Sequence, residues 1–212
     1  MLNKGRAQDT KTKIMEAAFE LFGRFGYEGT SIREIAKKSE VNLAAMNYHF
    51  KSKENLFWEI MGLTHRDLEQ QIQKFFESSQ TIHELSMKTY DYFMAEKYAL
   101  KNAMKMILAE DIGQPPEEIQ KDLANPMGPP GGQYFALMIE KEAGYKLSHQ
   151  GAFWGVKAIF GAIFHWSTMM CSDQICEKND PLMSEEQIRK DVADMVESHM
   201  IYIKNNKQKF SV

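Results

Sequence analysis

The sequence predicts an all-α protein with a small N-terminal head of short helices and a larger helical body. Three observations carry this. Apolar residues recur at three-to-four spacing along most of the 212 residues, strand-like alternation is almost absent, and two short helical stretches are separated by a tight turn near residue 40. A chain of this length buries a sizeable core, and its 43% apolar and 26% charged residues are ordinary for a soluble globular protein.

The elements follow in order. Ile14, Ala17, Ala18, Leu21, Phe22 and Phe25 mark the inward face of a first helix, which Gly26 and Gly29 stop. Ser31 and Glu34 have capping-box spacing and open a second helix through about Ser39, with Ile32, Ile35 and Ala36 inward. Asn42 caps a short third helix through about His49, and a long fourth begins near Ser52. In the body, Thr81 with Glu84 opens a helix to about Met94, and another covers about 101–112. Pro115-Pro116 precedes a further start, and residues 125–132 form a Pro/Gly loop. Helices then span about 132–144, 149–172 and 185–205, the last opened by Ser184 with Gln187. No flexible linker interrupts the chain, so the domain boundary falls inside the fourth helix, dividing 1–55 from 56–212.

Charge is uneven. Net charge is −3, yet residues 1–53 hold 10 Lys/Arg against 6 Asp/Glu, and the remainder 16 against 23. A basic head on an acidic body suggests that the head meets an anionic partner. Cys171 and Cys176, five apart, point to different faces of a helix and read as reduced thiols rather than a disulfide or metal site. The start, MLNKGRAQDTKTK, lacks the apolar core of a signal peptide, and the apolar stretch 151–170 contains Lys157 and His165, which fits a packed helix better than a membrane span. A cytoplasmic location and no membrane partner are expected.

Residues 31–39 and 43–49 have helix-turn-helix dimensions, and the stretch VNLAAMNYHFKSK has the chemistry such a motif needs. Ala44 and Ala45 permit close approach and contact with thymine methyls, and Asn47 matches the donor–acceptor pair of adenine. Tyr48, His49 and Lys53 suit phosphates, while Met46 and Phe50 are left to pack inward. Short helix pairs also occur in proteins that never touch DNA.

The stretches KIMEAAFELFGRFGYEGTSIREIAKKSEVN and LAAMNYHFKSKENLF resemble the DNA-binding domain of the TetR family of bacterial transcriptional regulators over residues 12–60. The resemblance implies DNA contacts at Ser31 and Arg33 on the second helix. On and around the recognition helix it implies Asn42, Leu43, Ala44, Ala45, Asn47, Tyr48 and His49, with Lys53 beginning the fourth helix. Two positions depart from the family pattern. Glu40 stands where glycine is usual in the turn, and Asn47 replaces the frequent tyrosine before the His-Phe pair. The resemblance further implies a homodimeric repressor, released from a palindromic operator by an apolar or aromatic small-molecule effector bound in the body, with no cofactor.

For the body the residues themselves say less. Gly151, Gly155, Ala158 and Ala162 share a helix face open to close approach, and Val192, Met195, Val196, His199 and Ile203 form an apolar stripe. These suit a four-helix dimer interface or packing within one subunit. The 15 Met and the aromatics Tyr90, Phe93, Phe135, Phe153, Trp154 and Phe164 suit an adaptable effector pocket as well as an ordinary core. Control by a protein partner is an alternative to a small molecule. An enzyme is the rival class, with Glu110, Asp111, His149 and His165 as acid–base candidates, but no nucleophile motif, phosphate loop or metal-ligand spacing brings them together. No catalytic or metal site is expected.

Overall fold

A computed structural model describes residues 6–110, 112–124, 126–172 and 180–212; Asp111, Asn125 and Cys176 lie outside the described residues. The α-helices are α1 (Arg6–Phe25), α2 (Ile32–Lys38), α3 (Leu43–Phe50), α4 (Lys53–Glu77), α5 (Ile82–Ala95), α6 (Lys97–Ile107), α7 (Glu117–Leu123), α8 (Gly132–Ala143), α9 (His149–Met169), α10 (Glu185–Asn205) and α11 (Lys207–Phe210). The fold is all-α: among the described residues no strand forms, and Leu147 and Ser211 share an isolated antiparallel bridge. No described helix is long and apolar enough to cross a membrane.

Local chemistry sets many of the helix starts. Ser31, Asn42, Thr81, Ser148 and Ser184 each accept a hydrogen bond from the backbone N–H three residues on, satisfying a donor that the first turn leaves unpaired. Ser31 and Glu34 form the full capping box. Gly144 closes α8 in the left-handed conformation that glycine adopts freely.

The chain packs as two compact units, one of residues up to His65 with Lys101–Leu123, the other of Arg66–Leu100 with Ala124–Val212. In the first, Ile14, Ala18 and Phe22 of α1 meet Ile35 of α2, Met46 and Phe50 of α3, and Leu56 and Phe57 of α4. Met106 and Ile112 join this core, so the segment after Leu100 completes the head. Phe25, expected inward, is 52% exposed at the C-terminal end of α1, where the Arg24 guanidinium covers its ring at 5.0 Å. The core instead takes Tyr27, whose ring packs on Phe22 and Phe57.

In the second unit α5, α8, α9 and α10 enclose Leu85, Phe93, Phe135, Ile139, Val156, Ile159, Val192 and Val196. Burial of each large apolar side chain stabilises by about 1.5–3 kcal/mol. The small-residue face of α9 is used inside the chain. A Cβ on Gly151 would strike the Phe210 backbone, and one on Gly155 would lie 3.2 Å from Ile139 and 3.4 Å from Ile203. Val192, Val196 and Ile203 of the α10 stripe are likewise fully buried, so these members of the two patterns serve packing within the subunit. Ala158, Ala162, Met195 and His199 stay half-buried. The helix expected over 101–112 starts earlier, at Lys97, and ends at Ile107. The short α11, whose Phe210 packs on Trp154 at 4.9 Å, had no sequence signal.

Candidate nucleic-acid interface

The short helix α3 sorts its side chains sharply. Met46 and Phe50, four residues apart, are buried against the head core. Leu43, Ala44, Asn47 and Tyr48 are exposed, Tyr48 to 82%, while Ala45 and His49 are half-buried. An exposed row of small, amide and phenolic side chains gains nothing from burial in this chain; it is free to meet a partner. The Tyr48 and His49 rings pack edge to face at 5.2 Å, which restricts both on the same edge of the helix.

Some of the selected residues also hold the motif together. Asn42 Oδ1 accepts from Ala45 N at 2.8 Å, which commits its oxygen to the cap and leaves its amide N–H groups outward. The Ser31 hydroxyl donates to Glu34 Oε2 at 2.7 Å, and Ser31 N donates to the same oxygen at 2.8 Å. Those hydrogen bonds from the Ser31 hydroxyl and backbone hold the Glu34 carboxyl below its ordinary value. Arg33, beside them, is exposed.

Lys53 is placed differently from a free surface lysine. Its ammonium donates to the carbonyls of Tyr27 at 2.9 Å and Thr30 at 3.2 Å, and lies 3.9 Å from the centroid of the Tyr27 ring. It therefore ties the start of α4 to the turn after α1, with one of its three N–H groups left over. Thr30, buried, reinforces that turn by reaching the carbonyls of Gly26 at 2.8 Å and Leu21 at 3.1 Å. Sequence spacing could not reveal this tie, because Lys53 and Tyr27 are 26 residues apart.

The turns before and after α3 each hold a non-glycine residue at positive φ. Glu40, at the position where glycine is usual, keeps the left-handed backbone with φ 57°, so the departure is tolerated rather than avoided. Lys51 follows α3 with φ 60° and ψ −39°, closing a γ-turn in which Ser52 N donates to Phe50 O at 2.6 Å. Non-glycine residues in such regions cost of order 1–3 kcal/mol each.

In the second unit the aromatic residues singled out for an effector separate into three places. Phe93, Phe135 and Phe164 meet Phe160 at ring distances of 5.6–6.1 Å, in the same core as Tyr90. Trp154 packs with His199, Tyr202 and Phe210, and Phe153 is exposed beneath the Lys157 ammonium. Tyr90 is 2% exposed, and burial, with the charges of Glu185 and Asp91, pushes its pKa up to about 12. Its hydroxyl and those of Ser86 and Ser167 are buried without a hydrogen-bond partner among the described residues. A cleft of about 580 Å³ along the first turns of α10 is lined by Ser184, Glu186, Gln187, Arg189, Lys190 and Ala193; it holds none of those aromatics. Among the described residues no group of three or more His, Cys, Asp and Glu side chains could hold a metal ion.

Comparison with known proteins bears on this geometry. Residues 14–60 match the sequence profile described as "Bacterial regulatory proteins, tetR family". The HTH-type transcriptional regulator QacR of Staphylococcus aureus is 38% identical over 101 residues, 44% of this chain and 51% of QacR. AcrR of Shigella flexneri is 40% identical over 65 residues, 31% of this chain and 30% of AcrR. The chain thus spans about half or less of the length of these relatives. Among solved structures, a tetR family transcription regulator from Shewanella matches over 96% of this chain and 98% of that one, with a TM-score of 0.62 at 17% identity. The regulator FadR of Bacillus subtilis, solved in complex with stearoyl-CoA, matches over 89% and 98% with a TM-score of 0.65 at 15% identity. At such identities the likeness is one of fold.

Proposed function

We propose that this chain, whose residues 14–60 match the TetR family of bacterial regulatory proteins, is a DNA-binding transcriptional regulator of that family whose α3 enters the major groove. One observation carries the reading: α3 buries only Met46 and Phe50 and turns Leu43, Ala44, Asn47 and Tyr48 outward. Small residues let the helix approach base edges, Asn47 offers both a donor and an acceptor, and Ser31, Arg33, Asn42, Tyr48, His49 and Lys53 supply phosphate contacts. A homodimer would present two such helices to a palindromic site, as a repressor working in the cytoplasm where its DNA lies.

The control signal in this reading is an apolar or aromatic small molecule held in the second unit. Supporting it are the Phe93, Phe135, Phe160 and Phe164 cluster and the neighbouring core hydroxyls, which combine a greasy wall with a few polar handles. FadR was solved with stearoyl-CoA, which shows that this fold accommodates an acyl ligand in that protein. No enzymatic role is part of the proposal.

The test is fluorescence anisotropy with labelled duplex DNA across a salt series, followed by thermal-shift screening of apolar compounds. Binding that weakens steeply with salt, and compounds that raise Tm and release DNA, support the reading. Absence of duplex binding at low salt would reject it.

A further inference from the structure

Lys51 holds the most telling backbone conformation in the head. Its φ of 60° and ψ of −39° belong to glycine, and Gly at this position would adopt the turn without steric strain. The turn is fully bonded: Lys51 N donates to Asn47 O at 3.1 Å, Ser52 N to Phe50 O at 2.6 Å, and Asn55 N to Ser52 Oγ at 3.0 Å. A side chain is therefore not needed to build it. Nor does the fold use the one present. The Lys51 side chain is exposed, and among the described residues no carboxylate, carbonyl or ring meets its ammonium. By contrast, Lys11 pairs with Glu59, Lys38 with Glu20, and Lys53 with two carbonyls and a ring.

Backbone outliers that persist at no benefit to the fold cluster where a ligand is gripped. The electrostatics supply the reason here. A helix ends in unpaired carbonyls and a partial negative charge, so the C-terminal end of α3 repels a polyanion. Glycine after Phe50 would leave that end bare. We infer that Lys51 is a phosphate anchor of the DNA interface, its γ-turn fixing an ammonium at the C-terminal edge of the recognition helix, one helical turn beyond Asn47. This rests on the DNA-binding reading above and adds a contact that neither motif nor resemblance pointed to. A lysine, a compact charge without a planar fork, suits a backbone phosphate rather than a base edge, so it contributes affinity and register without sequence preference.

The experiment compares full-length wild type with Lys51→Gly, Lys51→Ala and Lys51→Arg by anisotropy on one duplex over a salt series, with Tm measured in parallel. Lys51→Gly is expected to melt a few degrees higher, on the order of 2–4 °C, because the strain is released. It should bind DNA several-fold more weakly, with the salt slope reduced by about one per subunit. Lys51→Ala should lose the same affinity with no gain in Tm, and Lys51→Arg should keep wild-type binding. A Lys51→Gly protein with wild-type affinity and slope overturns the anchor, as does one that melts below wild type, which removes the strain. Wild type failing to bind duplex DNA would reject the DNA reading itself, before the variants are compared.

Discussion

Gly23 of α1 lies so close to the Asn102 side chain of α6 that a methyl group at residue 23 would fall on the Asn102 amide. Both residues are buried in the first unit, and Asn102 Nδ2 has no protein partner there. The head core is thus closed by a segment about eighty residues further along the chain. Gly23→Ala should destabilise the protein by about 1–3 kcal/mol in urea melts, the usual cost of overpacking. In an Asn102→Gly background the same substitution should cost at least ~1 kcal/mol less. Additive effects would show that the two sites do not touch.

Glu40 takes the left-handed position that closes α2, where Glu40 N donates to Lys37 O at 3.3 Å and Val41 N to Ala36 O at 3.0 Å, a place glycine fills without strain. Glu40→Gly should raise stability by about 1 kcal/mol and Tm by roughly 2–4 °C. It also removes a carboxylate beside the recognition helix, so DNA affinity should rise. Differential scanning calorimetry decides the first point; a lower Tm for the variant would mean that the Glu40 side chain supports the turn.

Lys53→Ala should act on the fold before it acts on DNA. It breaks two charge-assisted hydrogen bonds and the contact with the Tyr27 ring, together worth about 1–3 kcal/mol at a half-buried site. Thermal melting without DNA should register that loss, and an unchanged Tm would remove the tie from the account. A reduced salt slope in the folded fraction would report the remaining N–H on a phosphate.

Tyr90 makes the second unit sensitive to alkali. Its folded pKa, up at about 12, exceeds the ordinary tyrosine value of 10.0, so the unfolded chain releases this proton first as pH rises. The associated stability is complete below pH 10.0 and is lost from there up to about 12. Tyr90→Phe should flatten this part of the stability–pH curve. It should also leave neutral-pH stability nearly unchanged, because the removed hydroxyl has no protein partner. An equal alkaline loss in wild type and variant would assign it to other groups.

The parts of the fold legible in the sequence are those governed by local rules. The caps at Ser31, Asn42, Thr81 and Ser184 act over three residues, and the structure has each one. The division of α3 into Met46 and Phe50 inside and Asn47 and Tyr48 outside follows from helical periodicity alone. What was not legible depends on distant partners. Gly151 looks free in sequence but is closed by Phe210, and Phe25 looks like core until Tyr27 takes the place beside Phe57. Lys53 looks like a surface charge until the turn at Tyr27 and Thr30 folds against it. No periodicity encodes contacts across 26 or 60 residues, which tertiary packing decides.

The most direct test of the account is binding-site selection from random duplex DNA, run in parallel on the wild-type protein and Asn47→Ala. Asn47 shares the exposed face of α3 with Ala44 and Leu43, and its amide matches adenine N7 and N6. The account predicts that wild type enriches a palindromic motif. Asn47→Ala should lose preference at one base pair in each half-site, weaken binding to the wild-type motif by about 1–3 kcal/mol, and leave non-specific binding nearly intact. Wild type enriching no motif, or two motifs that agree at every position, would contradict the claim that this face of α3 reads DNA sequence.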